Sequence, residues 1–313
     1  GLAKQLREAN CRGAGGGSLL NKLMQLRKCC NHPYLFADSD ETDEQIVLMS
    51  GKIVVLDKML KYLFANNHKV LIFSQFTKML DILEDYFFVR GWEKNVCRID
   101  GSVHFTERQS QIDGFNDEVR YVARSLTSSS SHKTQTKQNS GKNIFLLSTR
   151  AGGVGINLAS ADTVIIFDSD WNPHMDNQAQ DRAHRIGQKK DVFVYRFVVE
   201  GSVELKILER ANNKRSLERL TMAGNFGGEK LKKEVKSMRL QAVQEILQDD
   251  ISVSEEQREG RTGGITDKEL RTILDRKKIL AARKLSSGTK KNSLLKSTGY
   301  EVVEHKASGL GAM

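Results

Sequence analysis

Two arginines three residues apart, Arg182 and Arg185, stand in the segment Gln178-Ala-Gln-Asp-Arg-Ala-His-Arg-Ile-Gly-Gln188. On a helix that spacing places both on one face. A guanidinium is a planar fork of donors, suited to phosphate oxygens and to the charge that spreads over a transferring phosphoryl group. An arbitrary Arg-x-x-Arg is more often a solvated charged face, so its context has to decide. Upstream lies Ser148-Thr-Arg-Ala-Gly-Gly-Val-Gly-Ile-Asn157, directly after an apolar run. Gly152, Gly153 and Gly155 let the backbone approach a ligand and leave N–H groups free for phosphate or ribose. A Gly-rich turn alone is weak, because it can be simple loop geometry.

Asp168-Ser-Asp-Trp-Asn-Pro173 follows another apolar run, at the kind of position where open α/β sheets place ligands. Asp168 is a poor candidate for a magnesium carboxylate, because no G-x-x-x-x-G-K-[ST] phosphate loop exists in the chain. Gly51-Lys52 is followed by Ile, and Gly141-Lys142 by Asn. Trp171 is read as an exposed aromatic against a nucleic-acid strand, with a packed indole as the commoner alternative. His32 near Cys29 and Cys30 suggests zinc, but no second ligand pair has suitable spacing, and no metal site is expected. No nucleophile–histidine arrangement stands out.

These residues need a scaffold, and the hydrophobic pattern supplies one. Leu19, Leu20, Leu23, Met24 and Leu26 read as a short helix after a flexible 11–17 hinge. Ile53, Leu56, Leu60 and Leu63 form a helical face, as do Met79, Leu80, Leu83 and Phe87, closed by Gly91. Thr106 with Gln109 fits a capping box ahead of Ile112 and Phe115. Buried strands are expected at 69–74, 96–99, 144–148, 163–167 and 192–197. Strands alternating with helices predict a doubly wound parallel sheet covered on both faces. Ser202 caps a helix with Val203, Ile207, Leu208 and Ala211 inward. Residues 118–142, Ser- and Lys/Gln/Thr-rich, read as a disordered insert. Beyond 223 come helical pieces (240–247, 270–274) and a stretch, 276–300, that is basic without an acidic residue.

The chain has 313 residues, enough for one sizeable α/β domain with flanking segments. Lys+Arg 49 against Asp+Glu 39 gives a formal charge of +10, which favours a polyanionic partner without choosing nucleic acid over an acidic protein face. No apolar run approaches transmembrane length, and four cysteines without metal spacing suit a reducing compartment. Secreted scaffolds, membrane spans and collagen-like chains are excluded. The chain does not begin with Met and is expected to be a fragment.

Taken in order, the motifs resemble the second RecA-like lobe of the Snf2 family of ATP-dependent DNA translocases. They are Leu26-Arg-Lys-Cys-Cys-Asn-His-Pro-Tyr34, Lys69 to Phe76, Arg98-Ile-Asp-Gly-Ser102, Ser148 to Leu158, Asp168 to Pro173 and Gln178 to Gln188. The segment Ile265 to Arg276 looks like the lymphoid-specific helicase branch, with the imitation-switch branch as rival. The resemblance implies a RecA-like lobe at 50–200, after the end of a Snf2-specific insertion and linker (1–49). A brace helix (201–222) and a basic, partly disordered helical tail (223–313) follow. It implies that Arg182 and Arg185 are arginine fingers reaching ATP and Mg2+ held mainly by an N-terminal RecA-like lobe of the parent chain. Gln178, Gly153 and Gly155 would line the nucleotide cleft; Ser74, Gln75, Asp100, Gly101, Arg150 and Trp171 would face DNA. Double-stranded DNA and the nucleosome are the implied partners and the nucleus the implied location. The first lobe and its phosphate loop are expected to be missing, so this polypeptide alone is expected not to hydrolyse ATP. The alternative is a non-catalytic DNA- or histone-binding fragment; a nucleotide-binding signalling domain is disfavoured. For the finger reading to hold, both guanidinium groups must be open to a cleft that a neighbouring lobe can close.

Overall fold

The structure, a computed structural model, describes residues 16–36, 43–116, 141–150, 156–185, 188, 190–211 and 265–286. Gly153, Gly155, residues 118–140 of the insert and the helical piece at 240–247 lie outside the described residues.

Helix α1 (Gly16–Asn31) begins inside the expected glycine hinge. A 3-10 turn (Pro33–Leu35) and α2 (Gln45–Leu48) lead to α3 (Gly51–Ala65). The Ser50 hydroxyl caps α3 by accepting from Ile53 N. Ile53, Leu56, Leu60 and Leu63 repeat every three or four residues, and all are fully buried. Truncating any one of them to alanine costs about 2–5 kcal/mol. After β1 (Val70–Ser74) comes α4 (Thr77–Val89). It ends where Gly91 adopts φ 67°, with Trp92 N donating to Phe87 O and Gly91 N to Phe88 O. That left-handed closure suits glycine at little steric cost.

Next come β2 (Val96–Ile99), α5 (Phe105–Asn116), β3 (Ile144–Ser148), β4 (Thr163–Ile166), α6 (Pro173–Gln180) and β5 (Phe193–Arg196). A helix α7 (203–211) follows, its entry held by Ser202 Oγ accepting from Glu204 N. The five strands are all parallel in the order β2-β3-β1-β4-β5. Alternate side chains go to opposite faces. Leu71, Phe73, Phe145, Leu147, Val164 and Ile166 pack on one face with Ile112 and Phe115 of α5 and Ala179 of α6. Helix α4 packs against β1 and β3. This is the RecA-like, doubly wound parallel sheet.

Two expectations are corrected. Strand β5 is not buried: it is an edge strand whose residues are half-buried or exposed. The Thr106 capping box does not form. Helix α5 starts at Phe105, so Thr106 is already inside its first turn, where its hydroxyl meets His104 Nδ1 at 3.2 Å; Gln109 bonds forward to Asp113 instead.

The described residues fall into two compact units, divided between 261 and 262. The second contains α8 (Asp267–Leu274) and α9 (Arg276–Ser286). In α8 a full capping box joins Thr266 and Glu269. No helix among the described residues is long and apolar enough to cross a membrane.

Candidate functional site

Because every strand is parallel, the segments leaving β1 and β4 emerge on one edge of the sheet, side by side. Asp168, fully buried, accepts from Ser74 Oγ and, at 2.8 Å, from Gln75 N. A carboxylate that the sequence offered as a weak metal candidate thus joins the two exits. Ser74 is itself fully buried, so its side chain is structural; Gln75 beside it is half-buried.

From 167 to 172 the exit of β4 is fastened residue by residue. Lys52 Nζ donates to Phe167 O at 2.8 Å and lies over the Phe167 ring. Arg27 Nη2 donates to Ser169 O at 2.8 Å, 3.8 Å from the Asp168 carboxylate. Asp170 N donates to Asp176 Oδ1, and Asn172 N to Asp170 Oδ1. Trp171 is half-buried and packs against Leu23, Val203 and Ile207. This corrects the expectation of an exposed aromatic: α1 and α7 both need its ring to close their apolar sides. Asn172 then caps α6, with Pro173 at its first position.

The arginines follow, and here too the structure differs from the expectation. Helix α6 ends at Gln180, with Asp181 as its C-cap. Arg182 and Arg185 lie in the turns beyond it rather than on one helix face. These turns tighten: Arg182 N donates to Ala179 O and Ala183 N to Gln180 O. They draw Ala183 fully into the core, and Gln188 Nε2 satisfies the carbonyls of Ala161 and Ala183. Arg182, three residues after inward-facing Ala179, goes in with it and is 7% exposed. Arg185 is half-buried. Burial, then repulsion from Arg185, lowers the Arg182 guanidinium pKa from its ordinary value, with Asp181 opposing. This corrects the two-finger expectation: Arg182 is too buried to reach a ligand on a neighbouring lobe, and only Arg185 keeps the exposure that role needs.

Other candidates scatter. Gln178 is exposed near the end of α6. Gly101 and Arg150 are exposed. Asp100, 4% exposed, is taken up internally: it accepts from Ser102 N and Oγ and from Arg98 Nε and Nη2. Burial works against its charge, but the bonds from Ser102 and Arg98 outweigh it and hold the carboxyl below its ordinary range. The DNA-facing expectation therefore rests at this loop on Gly101 rather than Asp100. His32 is fully buried, accepting from Tyr34 N at Nδ1 and bonded to Ile46 O through Nε2. Both ring nitrogens are thereby used by the fold.

Sequence reasoning missed the cations that hold this edge. Lys52 Nζ, besides Phe167 O, donates to Asn31 Oδ1 at 2.8 Å and to Glu204 Oε1 at 2.6 Å. It joins α1, α3, α7 and the β4 exit at one buried point. Burial raises the Glu204 pKa, and Lys52 pulls it back. The signal lies in Ser50-Gly51-Lys52, where a lysine stands in the first turn of a capped helix.

The sequence model of the "Helicase conserved C-terminal domain" family matches residues 51–127 and 117–187, two segments that overlap at 117–127. "ISWI chromatin-remodeling complex ATPase ISW2" of Saccharomyces cerevisiae is 51% identical over 218 residues, 68% of this chain and 18% of that protein. "ATP-dependent DNA helicase DDM1" of Arabidopsis thaliana is 41% identical over 317 residues, 99% of this chain and 38% of that protein. The chain belongs to the Snf2 family. Within the Snf2 family it is a C-terminal helicase lobe, and neither figure assigns it to a branch. A solved C-terminal part of the Fun30 ATPase domain is 39% identical, with a TM-score of 0.43, covering 60% of this chain and 53% of that one. The chain spans from about a fifth to two fifths of the length of these curated relatives.

Proposed function

We propose that this chain is the C-terminal motor lobe of an ATP-dependent DNA translocase that remodels nucleosomes in the nucleus. Arg185 reaches the γ-phosphate of ATP, which an N-terminal RecA-like lobe holds together with Mg2+. Arg182, buried three residues before it, holds the turn that presents Arg185 and adds positive charge. Gln178, Gly153 and Gly155 line the same cleft. Gln75, Gly101 and Arg150 contact the phosphates of double-stranded DNA, positioning it without base readout. The reading is carried by one observation: a half-buried arginine stands in the turn after a helix whose entry is fastened at the carboxyl edge of a RecA-like sheet.

The test is DNA-stimulated ATP turnover by a chain that joins this lobe to a first lobe bearing the phosphate loop. Arg185→Ala should cut kcat by about a thousandfold or more; unchanged turnover would sink the reading. This polypeptide alone should show no turnover.

Helix α9 supports a second reading. It carries five basic and no acidic residues in Arg276–Ser286, as a non-catalytic DNA- or histone-binding fragment would. On that reading, Arg182 and Arg185 substitutions leave the parent protein's cellular role intact.

A further inference from the structure

Residues 16–50 lie outside the family match, which starts at 51, yet they supply side chains to the β4 exit. Arg27, 5% exposed, comes from α1 and donates to Ser169 O, and its guanidinium lies 5.4 Å from the centre of the Phe76 ring just after β1. Asn31, also from α1, offers its Oδ1 to Lys52, which in turn holds Phe167 O and Glu204. Two buried cations therefore hold carbonyls two residues apart on one strand exit. Between those carbonyls, Asp168 ties that exit to Ser74 and Gln75 of the neighbouring one.

We infer that Arg27 and Lys52 form a clamp on residues 167–169 that positions the turn carrying Arg182 and Arg185, so that Arg27 and Lys52 are positioning residues for phosphoryl transfer. The inference rests on the proposed reading of Arg182 and Arg185. The physical argument is one of geometry and dielectric. A strand exit ends its ladder of backbone bonds and has freedom to splay. Carbonyls held by desolvated charged donors lose that freedom, because each charge-assisted bond is stronger than a neutral one and cannot be exchanged for water. The fastened backbone runs directly through Asp170, Asn172 and α6 to the arginines, with α6 tied back by Asp176. A displacement of about 1 Å at a reacting group is enough to cost about a hundredfold in rate. The third acceptor of Lys52, Glu204 at the start of α7, brings the brace helix into the same clamp.

The first experiment is backbone hydrogen exchange on the 313-residue chain. Arg27→Ala should speed exchange at 168–185 about tenfold while β2 and β3 keep their wild-type rates. Arg27→Lys, which retains a donor for Ser169 O but loses the planar fork over Phe76, should recover most of that protection. Exchange that rises equally in all strands, or does not rise, overturns the clamp. If Arg27→Ala does not fold, Arg27→Gln carries the same comparison. The second experiment uses the two-lobe chain. Arg27→Ala should lower kcat about tenfold or more with KM for ATP unchanged, and Arg27→Lys should restore part of it. A normal kcat in Arg27→Ala beside a collapsed kcat in Arg185→Ala overturns the clamp alone. A normal kcat in Arg185→Ala overturns the finger reading, and the exchange result then decides the clamp on its own.

Discussion

Lys52 shows how a single side chain can carry the architecture. Its ammonium has three donors, and three acceptors at 2.6–2.8 Å use all of them. Removing it leaves Glu204 buried without its counter-charge, which costs far more than the pair contributes. Lys52→Met should destabilise the lobe by about 3–5 kcal/mol, and adding Glu204→Gln should return part of that, read by urea denaturation. The two arginines make a contrasting pair. Arg182→Ala removes a buried stem and guanidinium and should lower the melting temperature by several degrees; Arg185→Ala, half-buried, should shift it little. Equal shifts would mean that the two side chains are equally packed. Residue type singles out both arginines in the sequence as candidates for phosphate, because few other side chains suit it. Their different burial was not legible, since it depends on α6 stopping at Gln180 and on Gln188 closing the turn from a distance. Lys52 was not legible, because its buried partner Glu204 lies 152 residues away in the chain.

Among the elements, short apolar runs located all five strands, and a face of leucines and isoleucines every three or four residues located α3 and α4, whereas α6 has no such face and its end at Gln180 was not legible. Edges and caps were harder. Strand β5 carries the same apolar run as a central strand, and only its neighbours show that it lies at the rim. The Thr106 box failed because His104, with a carbonyl that accepts from Arg108 N, already serves the start of α5. His32 illustrates a cap with a consequence for pH. Burial lowers its pKa from the ordinary 6.5, with the Ile46 bond opposing. As pH falls below about 6.5, the unfolded chain takes up a proton that the folded chain refuses, so stability is retained above that value and lost below it. Thermal melts should show this loss, and His32→Asn should flatten it. In the second unit, the Thr266–Glu269 box makes a simpler claim. Thr266→Ala should cost α8 about 1 kcal/mol, visible as lost helicity in circular dichroism.

At the scale of the molecule, a formal charge of +10 gives a long-range attraction to polyanions that no single contact explains. Its distribution is uneven. In the sheet unit, much of the cationic charge is neutralised locally: Arg98 is paired with Asp81, Glu84 and Asp100, and Arg90 with Glu44 and Asp57. Helix α9 has no acidic residue of its own, and its Lys277 and Lys278 are exposed, Lys278 meeting one carboxylate before the helix, Asp275, at 3.7 Å. If duplex DNA is the partner, phosphate neutralisation releases counterions, and log Kobs falls with log salt at about 0.9 per contact. Binding of this chain to a random-sequence duplex should therefore weaken steeply with added salt and change little with sequence. Replacing Lys277, Lys278, Arg283 and Lys284 together with glutamine should flatten the salt slope by about 3 to 4 units. An unchanged slope would place the DNA contacts outside α9. A flattened slope with unchanged ATP turnover in the two-lobe chain would separate affinity, set by the basic helix, from chemistry, set by the turn after α6.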